Sequence, residues 1–325
     1  YMHLDAEAVA EAYAALFSGK TIDGMIAFGF PQREVAIDGA NDYVIGAMRR
    51  DPRCHGFLLS APSDTRQAIA AYRRSGAAGV PFRGVKPYFD RVGKSVFDTA
   101  MSEFVPDDLL AFMNTEGLAL MLHTSRHGMG DPENQQFLRR LTDRYPRVRV
   151  VLAHMGRYTD PRQFEAFMAS GLAQERDAII LEMSSVSCPE VYDQVLAVPD
   201  LRRRLVFGSD LPFGLITGVE RWSPTHGAVF VSRDHYTWSD PAMEARYAEE
   251  RRRLTYNTYH CIRALKEAFD RLGLPADAAA RLKDAIFRRN ALVGILRQPA
   301  ATEPVETAPA ASVATTTEER THDPR

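Results

Sequence analysis

Cysteine is scarce in this sequence, and the few cysteines present are badly placed for cross-linking. Cys54, Cys188 and Cys261 lie far apart in the chain, and no CxxC pair occurs. This spacing argues against a disulfide framework and against a thiolate metal site. Thiols used in this way are typical of a reducing compartment, so we expect a cytoplasmic protein.

Long apolar runs and an excess of one charge are also lacking. No run reaches the roughly 18 residues that a membrane span needs, and we expect no signal peptide in the sequence given. The 40 basic residues nearly balance the 42 acidic ones, for a net charge of -2. Bulk electrostatics therefore give no sign of a nucleic-acid or membrane partner, and a small-molecule substrate is the expected partner.

Apolar periodicity is missing from residues 299–325, where Pro, Ala, Thr and Glu dominate. Such a segment cannot bury enough surface to offset the entropy of ordering it. We predict a disordered tail there, with a linker to another segment as the alternative.

What the rest of the chain contains is a regular alternation of short apolar runs and helical patterns. Covered strands of a parallel sheet have this mostly apolar character. The predicted strands are Met25–Phe30, Gly56–Ser60, Phe82–Lys86, Ala119–His123, Val148–His154, Ala178–Met183 and Arg204–Gly208. Asp131-Pro132 predicts the start of a helix, and closing helices are predicted within Met243–Leu272 and Leu282–Leu296.

The predicted strand ends recur every 26 to 37 residues, about one strand–helix unit each. One further unit back lies His3, which makes eight strand ends and predicts a (β/α)8 TIM barrel over residues 1–298. Too little chain precedes His3 for a full strand, so we expect the first strand to be truncated. Residues 211–240 exceed a simple connector and are predicted to form a lid inserted after strand 8. A doubly wound open sheet is the alternative, although no Gly-rich phosphate loop follows an early strand.

Several of these strand ends carry a side chain suited to chemistry. They are Lys86, His123, His154 and Asp210, with His3 as a fifth. In a barrel of this kind the carboxyl ends of the strands face one mouth, so these groups should converge. Imidazoles and a carboxylate suit a divalent metal such as zinc, iron or manganese, and three ligands would leave one position open for water. Asp210 is therefore placed where a metal ligand or a general base is wanted.

Five short segments together carry a family resemblance: GVK, LHT, LAHMG, FGSDLPF and RRNALVGIL. This set resembles the amidohydrolase superfamily, in particular the amidohydrolase-related group that includes aminocarboxymuconate-semialdehyde-type decarboxylases. The resemblance covers roughly residues 3–296. LAHMG and FGSDLP are specific together and weak apart.

The resemblance implies a role for each matching residue. The group opens with an HxH metal motif, in which His3 matches the second histidine while Tyr1 stands where the first would be. His123 matches a metal ligand, and Asp210 matches a ligand that also accepts a proton from water. His154 matches a histidine that orients water or substrate. The implied cofactor is a divalent metal, with zinc expected, although some members hydrolyse lactones without metal. A homodimer is one assembly that the resemblance implies.

Lys86 has more than one interpretation. It could be carboxylated and bridge two metals, as in some members of the superfamily, or bind a substrate carboxylate as a free ammonium, which we favour. It could also extend past the barrel rim. Arg126, His127 and Arg157 follow predicted strand ends and are candidates for holding an anionic substrate group. Trp222 is a candidate for shaping the pocket from the lid.

Three functions follow from these observations. The first is a hydrolase in which water, activated by a metal and Asp210 with His154 close by, attacks an amide, lactone or ester carbonyl while Lys86 holds a substrate carboxylate. The second is a non-oxidative decarboxylase that uses the same residues. The third is a barrel that has lost catalysis and serves in binding.

Overall fold

The computed structural model describes residues 5–158, 161–223, 227–236 and 239–298, together with every side chain in these ranges except those of residues 222–223 and 227–228. The predicted first strand at His3 and the predicted tail at 299–325 lie outside the described residues. No helix in the described part of the chain is both long and apolar enough to cross a membrane.

Seven strands lie where the apolar runs predict them, and two more form a hairpin within the segment predicted as a lid. They are β1 Met25–Ala27, β2 Cys54–Leu59, β3 Gly84–Lys86, β4 Ala119–Leu122, β5 Arg149–Leu152, β6 Ile179–Glu182, β7 Leu205–Val206, β8 Gly218–Ser223 and β9 Gly227–Ser232. The helices are α1 Ala6–Leu16, α2 Ile37–Arg50, α3 Thr65–Ala77, α4 Met101–Phe104, α5 Asp107–Glu116, α6 Pro132–Arg144, α7 Pro161–Ala169, α8 Leu172–Glu175, α9 Pro189–Ala197, α10 Pro199–Arg202, α11 Pro241–Arg246, α12 Ala248–Arg251, α13 Asn257–Leu272 and α14 Ala276–Asp284. After α14 the chain continues as π-helical turns, Ala285–Arg289 and Ala291–Ile295.

β1 to β7 form one parallel sheet in which spatial order follows chain order. The pairing runs without a gap from β1–β2 to β6–β7, in registers such as Leu59 opposite Lys86 and Glu182 opposite Val206. A doubly wound open sheet reverses its strand order at a switch point, so that alternative is wrong. The α/β barrel architecture is confirmed, with β1 and β7 as the sheet edges within the described residues.

The sheet curls around an apolar interior. Every second strand residue points inward, and Phe57, Met121, Val151, Ile180 and Val206 form a single buried cluster with Ile295 from the last π-helical turn. The other strand residues point outward and pack against the helices in a larger core.

Gly84 on β3 makes room inside this barrel. A Cβ at this position would lie 2.4 Å from the Phe57 ring, so a side chain here would displace the aromatic ring from the interior. The aromatic ring of β2 therefore fills the space that β3 leaves empty.

Local sequence signals set the helix ends. Asp131 precedes Pro132 and its carboxylate accepts the Glu133 N–H at 2.9 Å, so the predicted cap of α6 is confirmed. The segment Met243–Leu272, where closing helices are predicted, contains α12, α13 and most of α11. Thr255 and Tyr256 pair with the chain at 217–218, which requires extended backbone just before α13.

Candidate active site

The carboxyl ends of the parallel strands place polar side chains at one edge of the sheet. Lys86 ends β3, His123 follows β4, His154 follows β5 and Glu182 ends β6. Asp210 follows β7 after a short loop. Because parallel strands point the same way, these residues meet at the mouth of the curled sheet.

A cavity of about 200 Å³ opens at this mouth. Its lining comprises His123, His154, Arg157, Tyr158, Ser185, Val186 and Glu220. The last of these comes from β8, so the predicted lid segment contributes a carboxyl group to the same space as the two histidines. A cavity of this size suits a small molecule rather than a macromolecule.

His123 is held as a neutral imidazole. Burial lowers its pKa well below the ordinary value, and electrostatic interactions with His154, Lys86 and Arg157 lower it further. Its Nδ1 lies 3.1 Å from the Thr124 carbonyl oxygen, which can only accept, so Nδ1 carries the hydrogen and Nε2 keeps a lone pair. The ring packs edge-on against His154 with ring centres 5.3 Å apart.

His154 lies on an unusual stretch of backbone. His154, Met155, Gly156 and Arg157 all have positive φ, at 54°, 51°, 83° and 47°. Left-handed backbone is costly for residues with a Cβ, and such conformations concentrate at functional sites. The Nδ1 of His154 lies 3.0 Å from both the carbonyl oxygen and the Oγ of Ser184.

Two loop contacts support this backbone. The Thr124 hydroxyl donates to the Gly156 carbonyl at 2.8 Å, which joins the loop after β4 to the loop after β5. Gly128 lies against the same loop, since a Cβ there would come within 1.3 Å of the Arg157 carbonyl oxygen. The two histidine loops are therefore packed as one unit.

Arg157 and Glu220 bring opposite charges to the cavity. Desolvation lowers the pKa of Arg157, whose guanidinium lies 5.3 Å from the Phe97 ring and donates to the Arg126 carbonyl at 3.1 Å. Desolvation raises the pKa of Glu220 to about 7, against the opposing effect of Arg157, although the side chain stays open to the cavity. Glu220 can therefore hold a proton near neutral pH.

Lys86 is a buried cation in an aromatic setting. It is 5 % exposed, and its ammonium lies 5.2 Å from the centre of the Phe28 ring and 5.6 Å from that of Tyr88. Desolvation lowers its pKa to about 8, while Asp210 and Glu182 act in the opposite direction. No ion pair or hydrogen bond of the ammonium is found among the described residues, so its charge is balanced through space.

Asp210 lies at the rim of the mouth, next to a hydrogen bond between Ser209 and Tyr13. Its own φ is 49°, again a left-handed value for a residue with a Cβ. The neighbouring Ser209 hydroxyl lies 2.7 Å from the Tyr13 hydroxyl of α1. Helix α1 therefore reaches the mouth next to Asp210.

The predicted site residues are only partly brought together. His123, His154 and Arg157 line the cavity, and the charges of Lys86 and Asp210 are close enough to influence each other. Arg126 instead pairs with Glu133 at 2.8 Å, and exposed His127 packs against Phe97, so neither is among the cavity-lining residues of the described chain. His3 and the side chain of Trp222 lie outside the described part of the structure.

Sequence reasoning missed two carboxyl groups at the mouth, Glu182 and Glu220. Glu182 ends the apolar run IILE at the same phase as the other strand-end residues, so a search of every strand end for polar groups would have found it. Glu220 gave no such signal, because it belongs to a hairpin outside the barrel repeat.

The expected metal centre is not completed by the described residues. His123 offers a free Nε2 and Asp210 a carboxylate, but no three His, Cys, Asp or Glu side chains within residues 5–158, 161–223, 227–236 and 239–298 are grouped closely enough to hold a metal. The expected ligand His3 lies outside this set. The described donors alone are therefore fewer than the three that the expected metal site needs.

Solved structures of similar fold come from several enzymes. A 2,6-dihydroxybenzoate decarboxylase from Rhizobium is 16% identical, with 90% of this chain and 89% of that chain covered and a TM-score of 0.50. The 5-carboxyvanillate decarboxylase of Novosphingobium aromaticivorans, complexed with manganese and a nitrobenzoic acid derivative, is also 16% identical (80% of this chain, 69% of that chain, TM-score 0.46). A 4-oxalomesaconate hydratase from Rhodopseudomonas palustris is 14% identical (73% of this chain, 75% of that chain, TM-score 0.42). At such identities the likeness concerns the fold alone.

Family assignment comes from a different comparison. No curated protein matches this chain. The family model described as amidohydrolase, of the amidohydrolase-2 group, matches residues 7–292, which is most of the chain and includes both histidine loops. The chain belongs to the amidohydrolase family.

Proposed function

We propose that this protein is a non-oxidative decarboxylase of a small unsaturated or aromatic carboxylic acid. The observation that carries the proposal is the composition of the cavity. It brings together His123, His154, Arg157 and Glu220, whereas Asp210, the base that hydrolysis would need, is not among the lining residues of the described chain. Groups that hold anions and carry protons therefore surround the substrate space.

The reaction needs one proton delivered to carbon. The π electrons of the substrate form a C–H bond at the carbon that bears the carboxylate. The bond to the carboxylate then breaks, its electron pair restores the unsaturation, and carbon dioxide leaves. The products are the shortened compound with one added hydrogen and one carbon dioxide, so no oxidant or reductant is consumed.

The side chains of the site take separate parts in this reaction. His154 keeps the Nδ1 hydrogen that it donates to Ser184, so its Nε2 can accept a proton and pass it to the carbon. Arg157 orients the anionic substrate, and the buried ammonium of Lys86 adds positive potential at the mouth. Glu220, with a pKa raised to about 7, is the carboxyl that can return a proton to the histidine.

Isotope labelling tests the proposal directly. The protein is incubated in D2O, with a chelator, zinc or manganese, and with a panel of unsaturated and aromatic acids, lactones and amides. A decarboxylase releases carbon dioxide and leaves one deuterium on carbon. A hydrolase releases no carbon dioxide and, in ¹⁸O-labelled water, incorporates ¹⁸O into a new carboxylate. This result would overturn the proposal.

Substitution of His154 assigns the proton carrier. We expect His154→Gln to lower kcat by about 10²- to 10⁴-fold, the usual contribution of a positioned acid or base. His55→Gln is the matched control, because His55 lies at the opposite end of β2 from the mouth. Equal activity of the two variants would rule out His154 as the proton carrier.

Hydrolysis of an amide, lactone or ester is the second candidate. Asp210 supports it, because its left-handed backbone places a strained carboxylate at the rim of the mouth. In that reaction Asp210 takes a proton from water, and the released group receives it. The ¹⁸O experiment separates the two candidates, while a folded protein without either activity would favour a binding role.

A further inference from the structure

Glu182 is a buried carboxylate that the proposed reaction does not use. It ends β6, is 7 % exposed and faces the barrel mouth rather than the outer core. Burying a carboxylate is costly unless several donors satisfy it. Its surroundings show what it is held for.

Three donors from two loops converge on this carboxylate. Its Oε1 accepts the Ser184 N–H at 2.8 Å, and its Oε2 accepts the Ser184 hydroxyl at 2.8 Å and the His154 N–H at 3.1 Å. The two oxygens therefore tie the loop after β5 to the loop after β6. Both loops line the cavity, one through His154 and the other through Ser185.

Hydrogen-bond direction along this path is fixed by the number of hydrogens. Ser184 has one hydroxyl hydrogen, and it donates this hydrogen to the Glu182 carboxylate in a hydrogen bond. The Ser184 Oγ is then an acceptor for His154 Nδ1 at 3.0 Å, as is the Ser184 carbonyl oxygen at 3.0 Å. Nδ1 must carry the hydrogen, so Nε2 is the nitrogen left free for the cavity.

The same carboxylate also supports the His154 backbone. His154 has φ 54° and ψ 39°, and its N–H is directed at Glu182 rather than into a regular strand or helix. The hydrogen bond that this N–H donates to a charged acceptor offsets part of the cost of left-handed backbone.

The end of β7 leaves space for this arrangement. A Cβ on Gly208 would lie only 1.9 Å from Glu182 Oε1, and that atom belongs to a side chain already held by hydrogen bonds. Glycine at this position therefore leaves the space that the Glu182 carboxylate occupies.

We infer that Glu182 is the positioning residue for His154. It acts through the Ser184 hydroxyl and the His154 N–H, sets which ring nitrogen faces the substrate, and depends on the missing side chain at Gly208. This inference rests on the proposed role of His154 as proton carrier, but its structural part can be measured without substrate.

Imidazole NMR is the first test. With ¹⁵N-labelled histidine, the His154 signals are assigned by their loss in His154→Gln. In the wild type we expect hydrogen on Nδ1 and a lone pair on Nε2. Glu182→Gln should give a mixture of tautomers, because Glu182 holds both the N–H and the hydroxyl of Ser184 and so positions both acceptors of Nδ1. Ser184→Ala keeps the carbonyl acceptor and should change the tautomer less. An unchanged tautomer in Glu182→Gln would overturn the inference.

Kinetics give the second readout. A positioning role predicts that Glu182→Gln lowers kcat about 10- to 100-fold, the equivalent of one hydrogen bond to a charged group, while KM changes less than about threefold. Glu182→Asp should recover part of the loss. Glu165→Gln, an exposed carboxylate on α7, is the matched control. Equal losses in all three variants, or a change confined to KM, would contradict the inference.

A double-mutant cycle tests whether Gly208 makes space for the Glu182 carboxylate. Gly208→Ala should lower kcat in the wild type but have little further effect in Glu182→Ala, because the group it would collide with is gone. The control is Gly76→Ala on α3, where a Cβ meets nothing within 4 Å. If Gly208→Ala lowers kcat as much in Glu182→Ala as in the wild type, Gly208 does not act by making space for Glu182.

The proposed reaction and the positioning role of Glu182 can be tested separately. If the wild type shows no decarboxylation but the tautomer changes as expected, the proposed reaction is wrong and the positioning role stands. If decarboxylation is present and the tautomer does not respond, the positioning role is wrong and the reaction stands. Thermal melting of each variant separates these outcomes from unfolding.

Discussion

At the scale of single residues, Lys86 lies in an environment that disfavours its positive charge. Phe28 and Tyr88 surround the ammonium, and Asp210 and Glu182 are the acids that act on it through space. Its pKa of about 8 means that it carries a charge below that pH and loses it above. The neighbouring Tyr88, whose pKa is raised to about 12, stays neutral over the same range.

This pKa predicts a pH-dependent affinity. We expect KM for an anionic substrate to rise as pH increases through about 8, since the positive potential at the mouth disappears. Lys86→Arg keeps its charge and should remove this alkaline rise, whereas Lys86→Met should show a high KM at every pH. A wild-type pH profile that Lys86→Arg leaves unchanged would argue against the role of Lys86.

The same pKa predicts a change in stability of the opposite sense. An unfolded lysine has a pKa of about 10.4, so between about pH 8 and 10.4 the unfolded chain binds more protons than the folded one. The contribution of Lys86 to the free energy of unfolding should therefore rise with pH across this window. Urea unfolding of wild type and Lys86→Met, taken as a difference at each pH, measures it; a flat difference would contradict the buried ammonium.

Single residues also show where sequence reasoning reaches its limit. His123, His154, Lys86 and Asp210 could be placed at one mouth because strand phase fixes the direction of each side chain. The partners of these residues could not be predicted. The hydrogen bond that His154 donates to Glu182 depends on how two loops meet, and nothing in either loop alone specifies that meeting.

At the level of elements, apolar runs predicted the parallel strands because both faces of each strand are covered. The β8–β9 hairpin was predicted only as a lid segment. Val229 and Val231 alternate with other residues along β9. Their side chains pack in a small separate core with Val219 and Leu254. Since that core is not part of the barrel repeat, spacing along the chain could not reveal it.

The cap of α6 offers a direct test of a local sequence signal. The Asp131 carboxylate accepts the Glu133 N–H, and α6 in turn supports the loop after β4, where Asn134 donates to the Ser125 and Gly128 carbonyls at 2.8 Å. We expect Asp131→Ala to lower the free energy of unfolding by about 1 kcal/mol. Gln136→Ala, exposed on the same helix, should change it by less than about 0.5 kcal/mol. Chemical unfolding measures both, and equal effects would mean that the cap does not stabilise the helix.

Across the whole molecule, the barrel interior depends on the end of the described chain. Ile295 is 4 % exposed and belongs to the same cluster as Phe57, Val151 and Val206, although it comes from the π-helical turn that follows α14. The strands alone therefore do not fill the interior. This contact was not predictable from strand spacing, because it joins the last turn to strands far earlier in the chain.

This closure gives a prediction for the molecule as a unit. Ile295→Ala should lower the free energy of unfolding by about 2–5 kcal/mol, because it leaves a cavity among side chains of several strands. Val293 lies two residues earlier in the same turn and is 45 % exposed, so Val293→Ala should cost less than about 0.5 kcal/mol. Because the interior is shared by strands from both halves of the sheet, the Ile295→Ala transition should move as one step when followed by near-ultraviolet and by far-ultraviolet circular dichroism. Separate transitions in the two signals, or equal losses in the two variants, would show that the turn does not close a common core.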